Sequence, residues 1–112
     1  MDCIFCKIAA GIIPSNKVYE NEHVLAFYDL DPQAPVHVLI IPKQHITSAA
    51  EITPANSDVV ARIFEAAAII AEKLELKDGF RIVSNCGPAG GQSVPHLHFH
   101  MLGGRDMTWP PG

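Results

Sequence analysis

A mixed domain of strands and helices, with one long helix laid over a face of a β-sheet, is the fold class the sequence predicts. Two observations carry that prediction. From Pro95 to Leu102 histidine and bulky apolar residues alternate, His96-Leu97-His98-Phe99-His100-Met101, which is the two-residue period of a strand. From Val59 to Leu74 the apolar residues Val59, Val60, Ile63, Phe64, Ala67, Ile70, Ala71 and Leu74 recur at steps of three and four, one stripe over about five helical turns.

The chain in order supplies the remaining elements. Cys3 to Gly11 reads as a short helix with Ile4, Phe5 and Ile8 on its apolar side and Gly11 as its stop. Pro14-Ser15 breaks the chain, Lys17 to Glu20 is a short strand, Asn21-Glu22 a turn, and His23 to Asp29 a second strand. The prolines of Asp31-Pro32-Gln33-Ala34-Pro35 make a loop. Val36 to Ile41 is apolar on both faces, as a central strand is, and Pro42 ends it; His37 within that run needs a partner or a task. Thr53-Pro54 predicts the start of the long helix, a capping hydroxyl followed by proline at the first helical position. Lys73 and Lys77 suit its carboxyl end and Gly79 its stop. Phe80 to Asn85 is the next strand, and the glycine-rich segment Cys86 to Val94 leads into the histidine row. The tail, Gly103 to Gly112, is neither helix nor evident strand and holds Trp109.

Length and composition bound what such a domain does. The chain has 112 residues, enough for one domain (1–112) with a core of its own. A net charge of −4 with scattered lysines and arginines gives no basic stripe, so long nucleic acid is not an expected partner; the charge leaves a single nucleotide open. No run approaches the ~18 apolar residues of a membrane span. Three cysteines cannot all pair, and the chain opens without a basic and then apolar leader; a reducing, cytoplasmic location is expected.

The histidine row is the chemical signal. Residues two apart on a strand are separated by roughly 6.5–7 Å, so His96 and His100 would stand roughly 13 Å apart, too far to share one metal with bonds of about 2 Å. An adjacent pair could share one. The row therefore suggests groups acting at different points along a substrate. Glycine lets the preceding loop approach a ligand, and Gln92 and Ser93 add donors for phosphate oxygens. Cys3-x-x-Cys6 is half of a zinc site, for which His45 and His96 are candidate completing ligands; two buried free thiols are the alternative. Cys86 reads as a free thiol.

The run His96 to Leu102 resembles the motif of the histidine triad superfamily. The resemblance extends through Ile4-Phe5-Cys6-Lys7-Ile8, Ala26 to Leu30, Pro32 to His37, Ile41-Pro42-Lys43, Gly90 to Ser93, Gly103-Gly104-Arg105 and Trp109-Pro110-Pro111-Gly112. That ending is similar to the nucleotide-binding Hint group. The resemblance implies an α+β domain with a five-stranded antiparallel sheet, one long helix and one or two short ones. It also implies a homodimer that joins two sheets into ten strands, with the long helix at the interface.

The activity it implies is hydrolysis of purine nucleoside 5′-phosphoramidates, such as adenosine phosphoramidate or adenylylated lysine, to the monophosphate and an amine. His98 would attack phosphorus, forming a nucleotidyl-histidine that water cleaves. A carbonyl such as that of His96 would hold its other nitrogen. His100 would meet the phosphate and help protonate the amine, His37 would orient the row, and His96 completes the catalytic set. Asp29 would hold the ribose hydroxyls. Ile4, Phe5, Ile8, Ile13, Phe27 and Leu30 would enclose the base; Asn85 would reach phosphate or ribose. Gly91, Gln92, Ser93 and Val94 would line the phosphate, and Trp109 would lie near the partner subunit's site. Cys3, Cys6, His45 and His96 would hold a structural zinc, with no catalytic cofactor expected. Three other readings compete: a nucleotide-binding regulatory module with little turnover, a dinucleoside polyphosphate hydrolase of the same superfamily, and a zinc-dependent hydrolase.

Overall fold

The computed structural model describes residues 3–112. Helix α1 (Ile4–Ala9) is followed by strands β1 (Lys17–Glu20), β2 (Val24–Tyr28) and β3 (Val36–Pro42), then helix α2 (Asp58–Lys73), β4 (Phe80–Val83) and β5 (Phe99–Gly103). The five strands form one sheet in the order β1-β2-β3-β5-β4, and every neighbouring pair is antiparallel. This is the α+β arrangement, with its five-stranded antiparallel sheet, that the resemblance implies. No helix among the described residues is long and apolar enough to cross a membrane.

Both faces of the central strands are buried, which is why β2 and β3 read as nearly continuous apolar runs. On one face, Ile63, Ala67 and Ile70 of α2 pack against Val24, Ala26, Val38, Ile40, Leu97, Phe99 and Met101. On the other, α1 brings Phe5 and Ile8 over Leu25, Phe27, Leu39 and Ile41. Gly11 ends α1 as expected: it adopts φ +78°, and the Ile12 amide turns back to the Lys7 carbonyl at 2.8 Å.

The long helix departs from its predicted bounds at both ends. Thr53-Pro54 opens a turn rather than the helix, because the Asn56 side chain accepts the Thr53 amide at 2.7 Å and donates to the Glu51 carbonyl. The helix begins four residues later, at Asp58. It ends before Gly79, at Lys73, with Glu75 in the left-handed region (φ 57°) and the Leu76 amide bonded to the Ala71 carbonyl at 2.9 Å. Glycine is the usual occupant of that position; here Leu76, packed where a Cβ on Gly103 would touch it, fixes the turn instead. The strand expected over 80–85 stops at Val83. The histidine strand is also shorter than expected, since regular pairing starts only at Phe99. Ahead of it, the Leu97 amide donates to Ile46 and the His98 carbonyl accepts from the Ser84 hydroxyl.

Candidate active site

Alternation of faces survives although the ladder does not reach His96. Leu97, Phe99 and Met101 enter the core under α2, while His96, His98 and His100 turn to the α1 side. Phe5 of α1 stands edge-on to both His96 and His98, at centroid distances of 5.9 and 5.1 Å. The residues thus meet in three dimensions, but each histidine has a different environment.

His98 is almost wholly buried, and its Nδ1 lies 2.7 Å from the His96 carbonyl. A carbonyl only accepts, so Nδ1 carries the proton and Nε2 keeps its lone pair. Nε2 has no hydrogen-bond partner among the described residues. This is the orientation a nucleophilic imidazole requires.

His100 and His37 form a second, directional pair. The Gln33 amide donates to His37 Nδ1 at 3.0 Å, which places the His37 proton on Nε2. That nitrogen faces His100 Nδ1 at 2.9 Å and Asp29 Oδ2 at 3.5 Å. His100 Nδ1 is then an acceptor, and its own proton sits on Nε2. Burial, and then the neighbouring His98, push His100 below the usual imidazole value. Asp29, His37 and His100 lie close enough together to suggest a metal triad. The Gln33 amide argues against one, because it leaves His37 no lone pair on the nitrogen that faces the other two. His37 therefore has the partner its place in an apolar strand required.

His96 belongs to a different cluster. It is fully buried; Nε2 donates to the Pro42 carbonyl at 2.9 Å, so Nδ1 offers a lone pair. Around that nitrogen lie His45 Nδ1 at 3.2 Å, Cys3 Sγ at 3.3 Å and Cys6 Sγ at 3.5 Å, with Cys6 Sγ 3.2 Å from His45 Nδ1. A tetrahedral zinc with bonds of about 2.05 Å to nitrogen and 2.3 Å to sulfur needs edges of about 3.3 Å (N···N) and 3.6 Å (S···N). These four separations fit those edges within a few tenths of an ångström, and the Pro42 carbonyl sets the His96 tautomer as a second coordination layer does. Burial, and then the Cys3 sulfur, push the Cys6 thiol up, a cost that a bound cation would remove.

The glycine-rich segment is built differently from its sequence reading. The Gly91 amide donates to Pro88 and the Gln92 amide to Gly87, so neither is free for a phosphate. The Gln92 side chain is also committed: Oε1 accepts the Gly87 amide, and Nε2 donates to the carbonyls of Thr47 at 2.7 Å and Val94 at 2.9 Å. Gln92 is a strap that ties the loop to the chain just past His45. The amides of Ser93 and Val94 and the Ser93 hydroxyl have no protein partner among the described residues and remain as donors. Asn85 lies beside Gly91, whose φ of +86° permits the turn.

The other predicted positions separate by exposure. Phe5, Ile8 and Phe27 are core residues, and Ile13 and Val94 pack against the same cluster. Ile4 is half-exposed, and Leu30 is 99% exposed, outside any apolar wall of this chain. Trp109 is 83% exposed, not buried as a large tail aromatic usually is. A depression of about 700 Å³ lined by Glu75–Ile82 and Gly104–Met107 holds neither histidine nor cysteine. Gln33, Pro42, Thr47 and Ser84 escaped the sequence reading because three act through main-chain atoms, which no side-chain pattern reports, and Ser84 through an otherwise ordinary hydroxyl.

Comparison with known proteins points to one family. The HIT domain family model matches residues 10–107. A protein of Zea mays named 14 kDa zinc-binding protein is 49% identical, over 97% of this chain and 87% of its own. An Arabidopsis thaliana protein named adenylylsulfatase HINT1 is 47% identical, over 97% of this chain and 76% of its own. Among solved structures, a HIT family hydrolase from Legionella pneumophila superposes with a TM-score of 0.96 at 48% identity, covering 99% of this chain and 100% of that one.

Proposed function

The chain belongs to the HIT domain family, and on that premise we propose that it hydrolyses purine nucleoside 5′-phosphoramidates through a covalent nucleotidyl-histidine. One observation carries the proposal: the His98 ring is held by the His96 carbonyl with its Nε2 lone pair unengaged. In the first half of the reaction Nε2 forms a bond to the α-phosphorus as the phosphorus–nitrogen bond breaks. The amine leaves with the bonding pair and takes up a proton. In the second half water attacks the same phosphorus, the imidazole departs, and the water's proton restores the balance.

His100 offers its Nε2–H to the phosphoryl oxygens and the departing atom; Ser93 and Val94 supply further donors as charge builds. Asp29 holds the ribose and Asn85 the phosphate or ribose, while Phe5, Ile8, Ile13 and Phe27 form the base side of the site. Zinc held by Cys3, Cys6, His45 and His96 is structural: it would fix the His96 backbone on which His98 depends. The chain acts as a single domain in a homodimer, where Phe64 and Ile69 of α2, about half-exposed, and Phe80 on edge strand β4 would find cover and Trp109 would approach the partner's site.

A second reading is carried by the Arabidopsis relative's name: with adenylyl sulfate the same attack expels sulfate instead of an amine. Turnover of the two substrates side by side distinguishes them. The mechanism is tested by His98→Ala, which should lower phosphoramidate turnover by at least about 10³-fold while AMP still binds. Near-normal turnover overturns it. Metal analysis of purified wild type and Cys3→Ser tests the zinc site; an equal metal content in both removes it.

A further inference from the structure

The donor on His100 depends on an exposed loop. The Gln33 amide that places the His37 proton sits in the segment Asp31–Pro35, which has little burial to hold it. Two contacts from the carboxyl-terminal turn brace that segment. Arg105 places Nε and Nη2 on the Gln33 carbonyl at 3.3 and 3.2 Å, while its Nη1 is anchored on the Asp106 carbonyl at 3.1 Å. Gly104, at φ +85°, lets the turn come so close that an added Cβ would stand 3.0 Å from Pro35 Cβ. Gln33 is gripped at its carbonyl by a guanidinium and at its amide by His37, and its own side chain donates to the Asp31 carbonyl at 3.0 Å.

We propose that Arg105 is a positioning residue for the leaving-group donor: through Gln33 and His37 it keeps the His100 proton on Nε2. Each link is directional. The amide hydrogen occupies the Nδ1 lone pair of His37, the His37 proton goes to His100 Nδ1, and only Nε2 of His100 can then donate outward. Without the guanidinium the loop loses its charge-assisted anchor, His37 Nδ1 loses its fixed donor, and His100 divides its proton between both nitrogens. The kinetic consequence rests on the proposed phosphoramidase reaction; the tautomer consequence does not.

The test is Arg105→Gln in the zinc-loaded protein, with two readouts. Ring nitrogen NMR of wild type should give a single Nε2–H form for His37 and His100, and the variant a mixture at His100. Turnover should fall about tenfold for a phosphoramidate of a basic alkylamine, the scale of one lost hydrogen bond, and less than twofold for adenylyl sulfate, whose leaving group is a stable anion. Unchanged ring tautomers overturn the proposal whatever the rates do. Equal losses for both leaving groups also overturn it, since a merely loosened site would slow both. If wild type turns over neither substrate, the proposed function fails, and the NMR comparison still decides the brace.

Discussion

The two faces of β3 and β5 present the same backbone to opposite problems. Toward α2 the side chains are Val38, Ile40, Phe99 and Met101, and burial of apolar surface is all that this face requires. Toward α1 the neighbouring positions are His37 and His100, beside the buried Leu39, Ile41 and Phe27, and each ring must find a directional partner as it loses water. The helix face tolerates an apolar neighbour at any angle. The histidine face is specified atom by atom, largely by carbonyls and amides. Geometry sufficient for chemistry therefore collects where burial alone would be unfavourable.

That contrast can be broken most strongly at the metal cluster. Removal of zinc by a chelator should lower stability by about 4 kcal/mol where free zinc had exceeded its dissociation constant a thousandfold, read as a fall in Tm that added zinc reverses. Cys6→Ser should lose most of this response. Ile63→Ala attacks the opposite face: a fully buried side chain removed from under α2 should cost about 2–5 kcal/mol in urea unfolding, yet leave kcat per folded molecule unchanged. A matching loss of kcat would show that the two faces are not independent.

The smallest effect sharpens the comparison through pH. His100 is held below its ordinary value, so the folded state resists a proton that the unfolded chain accepts. Its stabilising contribution is present above about pH 6.5 and is lost as pH falls toward the folded value. With zinc bound, lowering pH from 7.5 to 5.5 should cost wild type up to about 1 kcal/mol more than it costs His100→Asn, because this ring is half-buried and partly screened. Equal pH dependence in the two would show that His100 titrates as it does in water.

Much of this was legible from residue order. The alternation from His96 to Met101 placed histidines and apolar residues on opposite faces even where strand pairing is absent. Cys3, Cys6, His45 and His96 were legible as a set of donor types, and the structure brings their ligand atoms within 4.8 Å of one another. The ends of α2 were not legible, because Asn56 and Leu76 compete with Pro54 and Gly79 through contacts that propensity does not describe. Gln92 and Gly91 looked like phosphate donors; whether an amide is free depends on what else is near it, and here both are used inside the loop.

The sequence by itself determined the sheet-and-helix class, the faces of the histidine row and the donor types of the metal cluster, because periodicity and side-chain chemistry are local properties. Only the tertiary structure decided which nitrogen of each ring holds the proton, since the partners that decide it are the carbonyls of His96 and Pro42 and the amide of Gln33. Every residue except proline carries both of those groups, and only folding chooses which of them an imidazole meets.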